Sequence, residues 1–187
     1  MIQNKDSGLI RCFIALELPR GAIDYLEEVQ KLVKKKNLFF GKFTEPENLH
    51  LTLKFLGEIS EEKVLEITKK LEDVKINGFE ASLSELGFFS EHSFKILWAK
   101  LNGKDIWDLQ SKIDESLKDL FEKEERFMSH ITLARIKKVV DKNIFLDYVK
   151  NMKIQPMKFK VNEFVLKKSE LKPDGPVYSD IKRYNLL

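Results

Sequence analysis

Polar and apolar residues alternate strictly in one stretch of the chain, Leu49-His50-Leu51-Thr52-Leu53-Lys54-Phe55. Alternation with a period of two is typical of a β-strand that buries one face, so we expect the four apolar side chains to point inward. His50 and Thr52 share the opposite face, because residues i and i+2 of a strand point the same way. Lys54 follows on that face as a solvent-facing side chain, and Gly57 is predicted to end the strand.

A second stretch, His130-Ile131-Thr132-Leu133, repeats this motif in the other half of the chain. The 187 residues include only 3 His and 4 Thr. Two of three histidines would have Thr two positions later by chance about once in a thousand such sequences. A single His on a strand face is more often a packing or surface residue than a catalyst, but the duplicated pair favours a functional site.

Both halves have the same predicted order of elements: strand, helix, His-containing strand, helix and strand. In the first half we predict a strand over 9–18, followed by a helix that ends at Phe39-Phe40-Gly41 and buries Ile23, Leu26, Val29 and Val33. The His50 strand comes next. A helix capped by Ser60, which buries Val64, Ile67 and Leu71, and a strand over 79–89 complete this half. In the second half we predict a strand over 94–101, a helix carrying Ile106, Leu109, Ile113, Leu117 and Leu120, and a strand over 128–135 that contains His130. A short helix capped by Asp141 and a strand over 157–166 follow, and this strand has a bulge or bend near Asn162-Glu163. The turn Pro173-Asp174-Gly175 then leads to a final strand over 177–186.

This order predicts an α+β fold in which residues 1–187 form a single bilobal domain. Its duplicated strand-helix-strand-helix-strand halves are expected to have mainly antiparallel sheets that face a central cleft. An approximate two-fold relation between the halves would then bring the two His/Thr faces to opposite walls of that cleft.

Composition excludes several classes of protein. With 43% hydrophobic and 34% charged residues, the chain is not of the disordered type. No apolar run approaches the roughly 20 residues of a membrane span, and the first residues do not resemble a secretory signal, so a cytoplasmic location is expected. Cys12, the only cysteine, excludes an internal disulfide and a zinc site built on paired cysteines.

The charge balance is only mildly informative about partners. The 33 Lys+Arg exceed the 30 Asp+Glu by +3, and only five of the cations are Arg. Lys34-Lys35-Lys36 is best interpreted as the solvated end of a helix. The composition permits a short or single-stranded nucleic-acid ligand but shows no concentrated basic stripe.

The paired His/Thr motifs suit acid–base chemistry. Near neutral pH one imidazole can accept a proton while the other, in its charged form, donates one. The hydroxyls can donate hydrogen bonds to an oxyanion held between them. A metal site is a poor alternative, since no cysteine or carboxylate lies at a fixed offset in both copies. His92 has no Thr partner and is predicted at the surface, and Cys12 lies in a buried strand, which argues against thiol catalysis.

The sequence resembles the two-histidine (2H) phosphoesterases, and within them the RNA 2',3'-cyclic phosphodiesterases formerly called 2'–5' RNA ligases. The resemblance covers nearly the whole chain and depends on four segments: Arg11-Cys12-Phe13-Ile14-Ala15 to Pro19, Pro46-Glu47-Asn48-Leu49-His50-Leu51-Thr52-Leu53 with Phe55-Leu56-Gly57, Ser129-His130-Ile131-Thr132-Leu133-Ala134-Arg135, and Lys168-Ser169-Glu170-Leu171 through Gly175-Pro176-Val177-Tyr178 to Tyr184 and Leu186.

The resemblance implies hydrolysis of a terminal 2',3'-cyclic phosphate on RNA to a 2'-phosphate, without a metal or other cofactor. In the family's mechanism His130 would activate the water and His50 would protonate the departing 3' oxygen. Thr52 and Thr132 would hold the non-bridging oxygens, and Arg135 would be a phosphate ligand. Strand parity alone places Arg135 on the face opposite His130, so its role requires the strand to twist or end before it.

Two alternatives remain open at the level of sequence. The same acid–base pair could run the reaction in reverse and join RNA ends as a 2'–5' linkage. The chain could also be a module that binds an RNA end without turning it over, although Arg and Lys bind phosphate better than His and Thr do. No obligatory protein partner is evident, and no membrane association is expected.

Overall fold

The structure is a computed structural model that describes residues 8–90 and 94–187. His92, predicted at the surface, lies outside the described residues. The elements follow one another as β1 (Leu9–Glu17), α1 (Arg20–Lys35), β2 (Phe39–Phe43), β3 (His50–Ser60), α2 (Glu61–Lys70), β4 (Phe79–Gly87), β5 (Ile96–Asn102), α3 (Lys104–Ser116), β6 (His130–Val139), α4 (Lys142–Asn151), β7 (Met157–Val161), β8 (Glu163–Lys172) and β9 (Gly175–Asn185).

The nine strands of the described chain form one antiparallel sheet, which confirms the predicted α+β class. Its order is β7-β4-β5-β6-β3-β1-β8-β9, and β2 pairs with β6 off this path. Four strands lie on each side of the β3–β6 contact. Outward from this contact their order is β3, β1, β8, β9 on one side and β6, β5, β4, β7 on the other. Leu51 opposite Ile131 is the pair that joins the two sides.

This order exchanges strands between the sequence halves. β4, the last strand of the first half, pairs with β5, the first strand of the second half. In return β8, from the second half, pairs with β1. Each side of the sheet is therefore built from both halves of the chain, which the linear order of elements did not reveal.

The helices pack on one face of the sheet. Their buried residues form one hydrophobic cluster with the inward side chains of the strands, among them Ile14, Leu51, Leu53, Ile131 and Leu133. The predicted helix caps are confirmed, since the Ser60 hydroxyl accepts from the Lys63 amide and the Asp141 carboxylate from the Asn143 and Ile144 amides. No described helix is both long and apolar enough to cross a membrane.

Three boundaries predicted from sequence are wrong. The segment expected only to end the first helix is itself a strand, β2, paired with β6. Gly57 does not end β3, which continues to Ser60; with φ +73° this glycine adopts a conformation that other residues rarely tolerate, and it pairs with Cys12. The single strand predicted over 157–166 is two strands, β7 and β8. The interruption lies at Asn162, where a bulge or bend was predicted, and there the chain passes from the β4 side of the sheet to the β1 side.

Candidate active site

β3 and β6 carry the same β-bulge at the residue that directly follows the motif Thr. In β3 the partners on β1 are Thr52↔Ala15 and Lys54↔Ile14, so Leu53 has no partner. In β6 the partners on β5 are Thr132↔Trp98 and Ala134↔Leu97, so Leu133 has none. An extra residue on one strand shifts the alternation of side chains by one position. Both His-containing strands therefore reverse their inward and outward faces just after the motif.

The bulges correct three predictions based on strict alternation. Lys54 points into the core and is only 5% exposed, rather than facing solvent beside His50. Its ammonium group pairs with the buried Asp114 and donates to the Glu122 carbonyl at 2.8 Å. Phe55, predicted inward, is 68% exposed. Arg135 likewise is exposed, because the bulge turns it to the same face as His130 and Thr132, where simple parity does not place it.

The two motifs meet at the centre of the sheet, where Leu51 lies opposite Ile131, both fully buried. An antiparallel pair in this register sets His50 across from Thr132 and Thr52 across from His130. We call the face that carries these four side chains the site face. The structure brings all four predicted residues together there, side by side on adjacent strands.

Each imidazole is held by the backbone two residues earlier. Nδ1 of His50 lies 2.8 Å from the carbonyl oxygen of Asn48, and Nδ1 of His130 lies 2.7 Å from that of Met128. A carbonyl can only accept, so Nδ1 carries a proton in both rings and Nε2 of the neutral ring has the free lone pair. In each neutral ring Nε2 is therefore the nitrogen that can accept a proton or a hydrogen bond. Nε2 of His50 accepts from the Thr52 hydroxyl at 3.1 Å.

Burial weakens the basicity of both histidines. Desolvation lowers the pKa of His50 from 6.5 to about 4 and also lowers the pKa of His130. At low pH, protonation of His130 lowers the pKa of His50 further, so the two rings lie within electrostatic range. In the free protein both imidazoles are therefore neutral near pH 7.

Aromatic rings surround the two imidazoles. The His50 ring packs 5.0 Å from Phe13 and 5.3 Å, edge to face, from Tyr178 of β9. The His130 ring packs 4.8 Å, edge to face, from Phe89. Sequence reasoning missed all three aromatic residues as site residues. Phe13 and Tyr178 lay in segments that resembled the family, but nothing in their local pattern connected them to the histidines.

Two lysines near the site are neutralised by carboxylates, whereas two arginines are not. Lys167, at 6% exposure, is paired with Glu17 and with Asp180, and Lys100 is paired with Glu85 at 2.9 Å. Arg11 and Arg135 make no ion pair with any residue in the described ranges, 8–90 and 94–187. Both act on Tyr178, where burial raises the pKa and the charges of Arg135 and Arg11 oppose that rise. These two guanidinium groups are thus free to bind an anion.

The described part of the chain contains no cluster of three or more His, Cys, Asp or Glu side chains placed to hold a metal ion. The arrangement that it does contain is a pair of imidazoles, each facing a hydroxyl, with a free guanidinium group on the same face. This combination can transfer protons on two sides of a bound anion.

Comparisons with known proteins agree with this geometry. The model of the LigT-like phosphoesterase family matches residues 16–98 and again 102–178, once in each half. The RNA 2',3'-cyclic phosphodiesterase of Methanocaldococcus jannaschii is 32% identical over 94% of this chain and 100% of its own length. That of Methanothermobacter thermautotrophicus is 31% identical over 95% and 99%.

Solved structures show the same fold. The protein TT0787 of Thermus thermophilus superposes with a TM-score of 0.79 at 29% identity, covering 94% of this chain and 97% of that one. Escherichia coli LigT in its apo form superposes with a TM-score of 0.76 at 23% identity, covering 96% and 99%. The double family match, the identity over nearly the full length and the duplicated His/Thr site lead to one conclusion: the chain belongs to the LigT-like phosphoesterase family.

Proposed function

We propose that the protein hydrolyses the 2',3'-cyclic phosphate at the end of an RNA to a 2'-phosphate, with His50 as proton donor and His130 as general base. The observation that carries the proposal is the equivalent anchoring of the two imidazoles, each through Nδ1 to the carbonyl of residue i−2. This anchoring turns both Nε2 atoms away from the backbone and toward the site face, where that of His50 accepts from the Thr52 hydroxyl. The curated relatives named RNA 2',3'-cyclic phosphodiesterase support the substrate class.

The reaction is an in-line displacement at phosphorus. His130 Nε2 takes a proton from water while the water oxygen forms a bond to phosphorus. The bond from phosphorus to the ribose 3' oxygen breaks, and His50 Nε2 gives its proton to that oxygen. Proton donation and acceptance balance, so no metal or other cofactor enters the step. Only the bond that points toward His50 has its leaving oxygen protonated, and the phosphate therefore remains on the 2' oxygen.

Thr52, Thr132 and Arg135 would bind the non-bridging oxygens in this mechanism. The Thr52 hydroxyl, which donates to His50 Nε2 in the free protein, would turn to the phosphate. The negative charge of the phosphate stabilises the charged form of a nearby imidazole and so raises its pKa. Substrate binding thus offsets the desolvation of His50 and supplies the protonated donor that the free protein lacks near pH 7.

The proposal treats residues 1–187 as one bilobal domain, because each half of the chain contributes one histidine and one threonine to the site. It requires an RNA with a 2',3'-cyclic phosphate end as the partner. A cytoplasmic location would suit such a substrate, and the free, buried thiol of Cys12 is compatible with a reducing compartment.

The direct test is incubation with a 2',3'-cyclic oligonucleotide after dialysis against a strong chelator, with the product identified by phosphorus NMR. We expect the 2'-phosphate alone. A mixture of 2'- and 3'-phosphates would contradict the proposed in-line path, and activity that returns only with added metal would contradict the acid–base assignment. Tight binding without turnover would favour the RNA-end-binding module.

A further inference from the structure

The two His-containing strands differ in charge where they leave the site. The exposure patterns of β3 and β6 are the same over their first nine residues, counted from each histidine. In this correspondence Gly57 and Glu58 of β3 take the places of Lys137 and Lys138 of β6, and all four positions are exposed. The duplicated strands therefore match at the motifs but continue with a carboxylate on one side and two ammonium groups on the other.

Both lysines lie on the site face because β6 has a second bulge. The partners on β2 are Ile136↔Gly41 and Lys138↔Phe40, so Lys137 has no partner. Ile136 belongs to the hydrophobic cluster on the helical side, and the extra residue turns the side chains of Lys137 and Lys138 toward the opposite face. Within the part of the chain that the structure describes, neither ammonium group forms an ion pair. Two uncompensated positive charges thus continue the site face along β6.

An exposed aromatic ring of β2 lies beside these lysines. Phe39 packs edge to face on Phe145 of α4, with 5.8 Å between the ring centroids, so Phe39 points to the helical side. The next residue, Phe40, therefore points to the site face, where it lies opposite Lys138 and is 64% exposed. A ring so exposed, between free lysines, offers an open face to a ligand.

We propose that the RNA strand upstream of the cyclic end runs along β6 and is bound by Lys137, Lys138 and Phe40, which we call the upstream surface. This inference rests on the proposed function, which places the cyclic phosphate at the two motifs. The rest of the RNA is then attached through the 5' oxygen of the terminal ribose. Lys138 lies six residues beyond Thr132, roughly 15–20 Å along the strand. A single nucleotide at the motifs does not span that distance, so the upstream surface contacts only the nucleotides that precede the terminal one.

The chemistry of the upstream surface suits single-stranded RNA. Lysine ammonium groups neutralise phosphates, and an exposed ring stacks on a base that is not paired in a duplex. Neither contact reads the identity of the base. The upstream surface therefore selects substrates by the length of the single-stranded end rather than by its sequence.

The opposite direction, along β3, is electrostatically less favourable for RNA. Glu58 stands where β6 has Lys138, and α2 begins directly after β3 with the exposed residues Glu61 and Glu62. Only Arg11, which lies opposite Glu58 on β1, supplies a guanidinium group to this row. Because β3 and β6 are antiparallel, the two directions lead to opposite ends of the sheet, and the charges favour the one along β6.

The experiment compares two ligands that differ only in length. Dissociation constants are determined by titration calorimetry, at salt concentrations from about 50 to 200 mM, for 2'-AMP and for a penta-adenylate whose terminal nucleotide has a 2'-phosphate. The variants are Lys137→Gln/Lys138→Gln, Phe40→Leu and Phe40→Tyr. Lys104→Gln/Lys112→Gln is the matched control, because it removes two exposed lysines of α3, on the helical side of the sheet.

We expect the wild type to bind the pentanucleotide at least about 10-fold more tightly than the mononucleotide. In Lys137→Gln/Lys138→Gln, the slope of log Kd against log salt concentration for the pentanucleotide should fall by about 1.4, since each phosphate contact to a single strand contributes about 0.7. Phe40→Leu should weaken pentanucleotide binding by about 5-fold or more through loss of one stacked base, without a change in slope. Phe40→Tyr and Lys104→Gln/Lys112→Gln should keep both the affinity and the slope.

A further variant, Glu58→Lys, tests the direction of the strand and should leave the slope unchanged. A steeper slope in Glu58→Lys would place the RNA along β3 and overturn the proposal. An unchanged slope in Lys137→Gln/Lys138→Gln, or a wild type that binds both ligands equally, would also overturn it. Hydrolysis of a 2',3'-cyclic mononucleotide is assayed separately. Normal hydrolysis with a slope independent of the two lysines would refute the upstream surface alone, and a lysine-dependent slope without hydrolysis would refute the proposed function alone.

Discussion

At the scale of single residues, the two histidines are equivalent in anchoring but unequal in burial. Replacement of His50 or His130 by Ala should each lower kcat by about 10²–10⁴, the range for loss of a general acid or base. The double variant should be little worse than either single one, because in the proposed mechanism both residues act in the same step. Steady-state rates on a 2',3'-cyclic nucleotide measure this, with His92→Ala as the control. An equal loss in His92→Ala would contradict the assignment.

The lowered pKa values of the histidines also set the pH dependence. The proposed mechanism requires one neutral and one protonated imidazole, and this combination is most populated between the two pKa values. Burial lowers the pKa of His50 to about 4 and lowers that of His130 below 6.5, so kcat/KM, which reports the free protein, should be greatest below pH 6.5. The bound phosphate raises both pKa values, so kcat should reach its maximum at a higher pH. If kcat/KM and kcat both reached their maximum at the same pH, at or above 6.5, desolvation would not determine the pKa values of these histidines.

Sequence reasoning predicted that His50, Thr52, His130 and Thr132 belong to one site, because two residue types that are rare in this chain recur at the same short spacing. It could not place Lys54, Phe55 or Arg135, because Leu53-Lys54-Phe55 continues a strict alternation with no trace of an extra residue. The bulge is set by pairing with β1, a strand distant in sequence. Local pattern thus predicted the motif, and the tertiary pairing decided which neighbours join it.

At the scale of elements, the bulge in β3 turns the charged Lys54 side chain into the core, where it pairs with a buried carboxylate. Lys54 Nζ pairs with Asp114 of α3, and Asp114 also accepts from Gln110 at 2.6 Å and from the Glu124 amide at 3.1 Å. The pair therefore links β3, α3 and the loop that leads to His130. All of these contacts are formed on the helical side of the sheet, away from the site face.

Replacement of Lys54 by Met should leave the Asp114 carboxylate buried without its cation. A broken buried pair of this kind costs about 3–5 kcal/mol of the free energy of unfolding. The double variant Lys54→Met/Asp114→Leu should recover much of that loss, because it removes both charges. Urea unfolding followed by circular dichroism measures both values. Equal stability of Lys54→Met and the wild type would mean that the pair contributes nothing to the fold.

At the scale of the whole molecule, the sheet order ties the halves together. The repeat was readable in the sequence because each half has its own strands, helices and caps. The exchange of β4 and β8 between the halves could not be predicted from the sequence, because the pairing of distant strands leaves no local pattern. β4 pairs with β5 and β7, both from the second half, and β1 depends on β8 for one of its two neighbours.

The exchange predicts that neither half folds alone. A fragment over 1–92 would contain β4 without either of its strand partners and β1 with one open edge, and a fragment over 93–187 would contain β8 without β1. Unpaired strands of this kind expose backbone groups and apolar surface, so each fragment should lack a cooperative unfolding transition. The two fragments mixed or produced together should pair, regain the transition and restore hydrolysis, since each contributes one histidine. A cooperatively folded single fragment, seen by thermal unfolding and dispersed amide NMR signals, would show that the strand exchange is not needed for either half to fold.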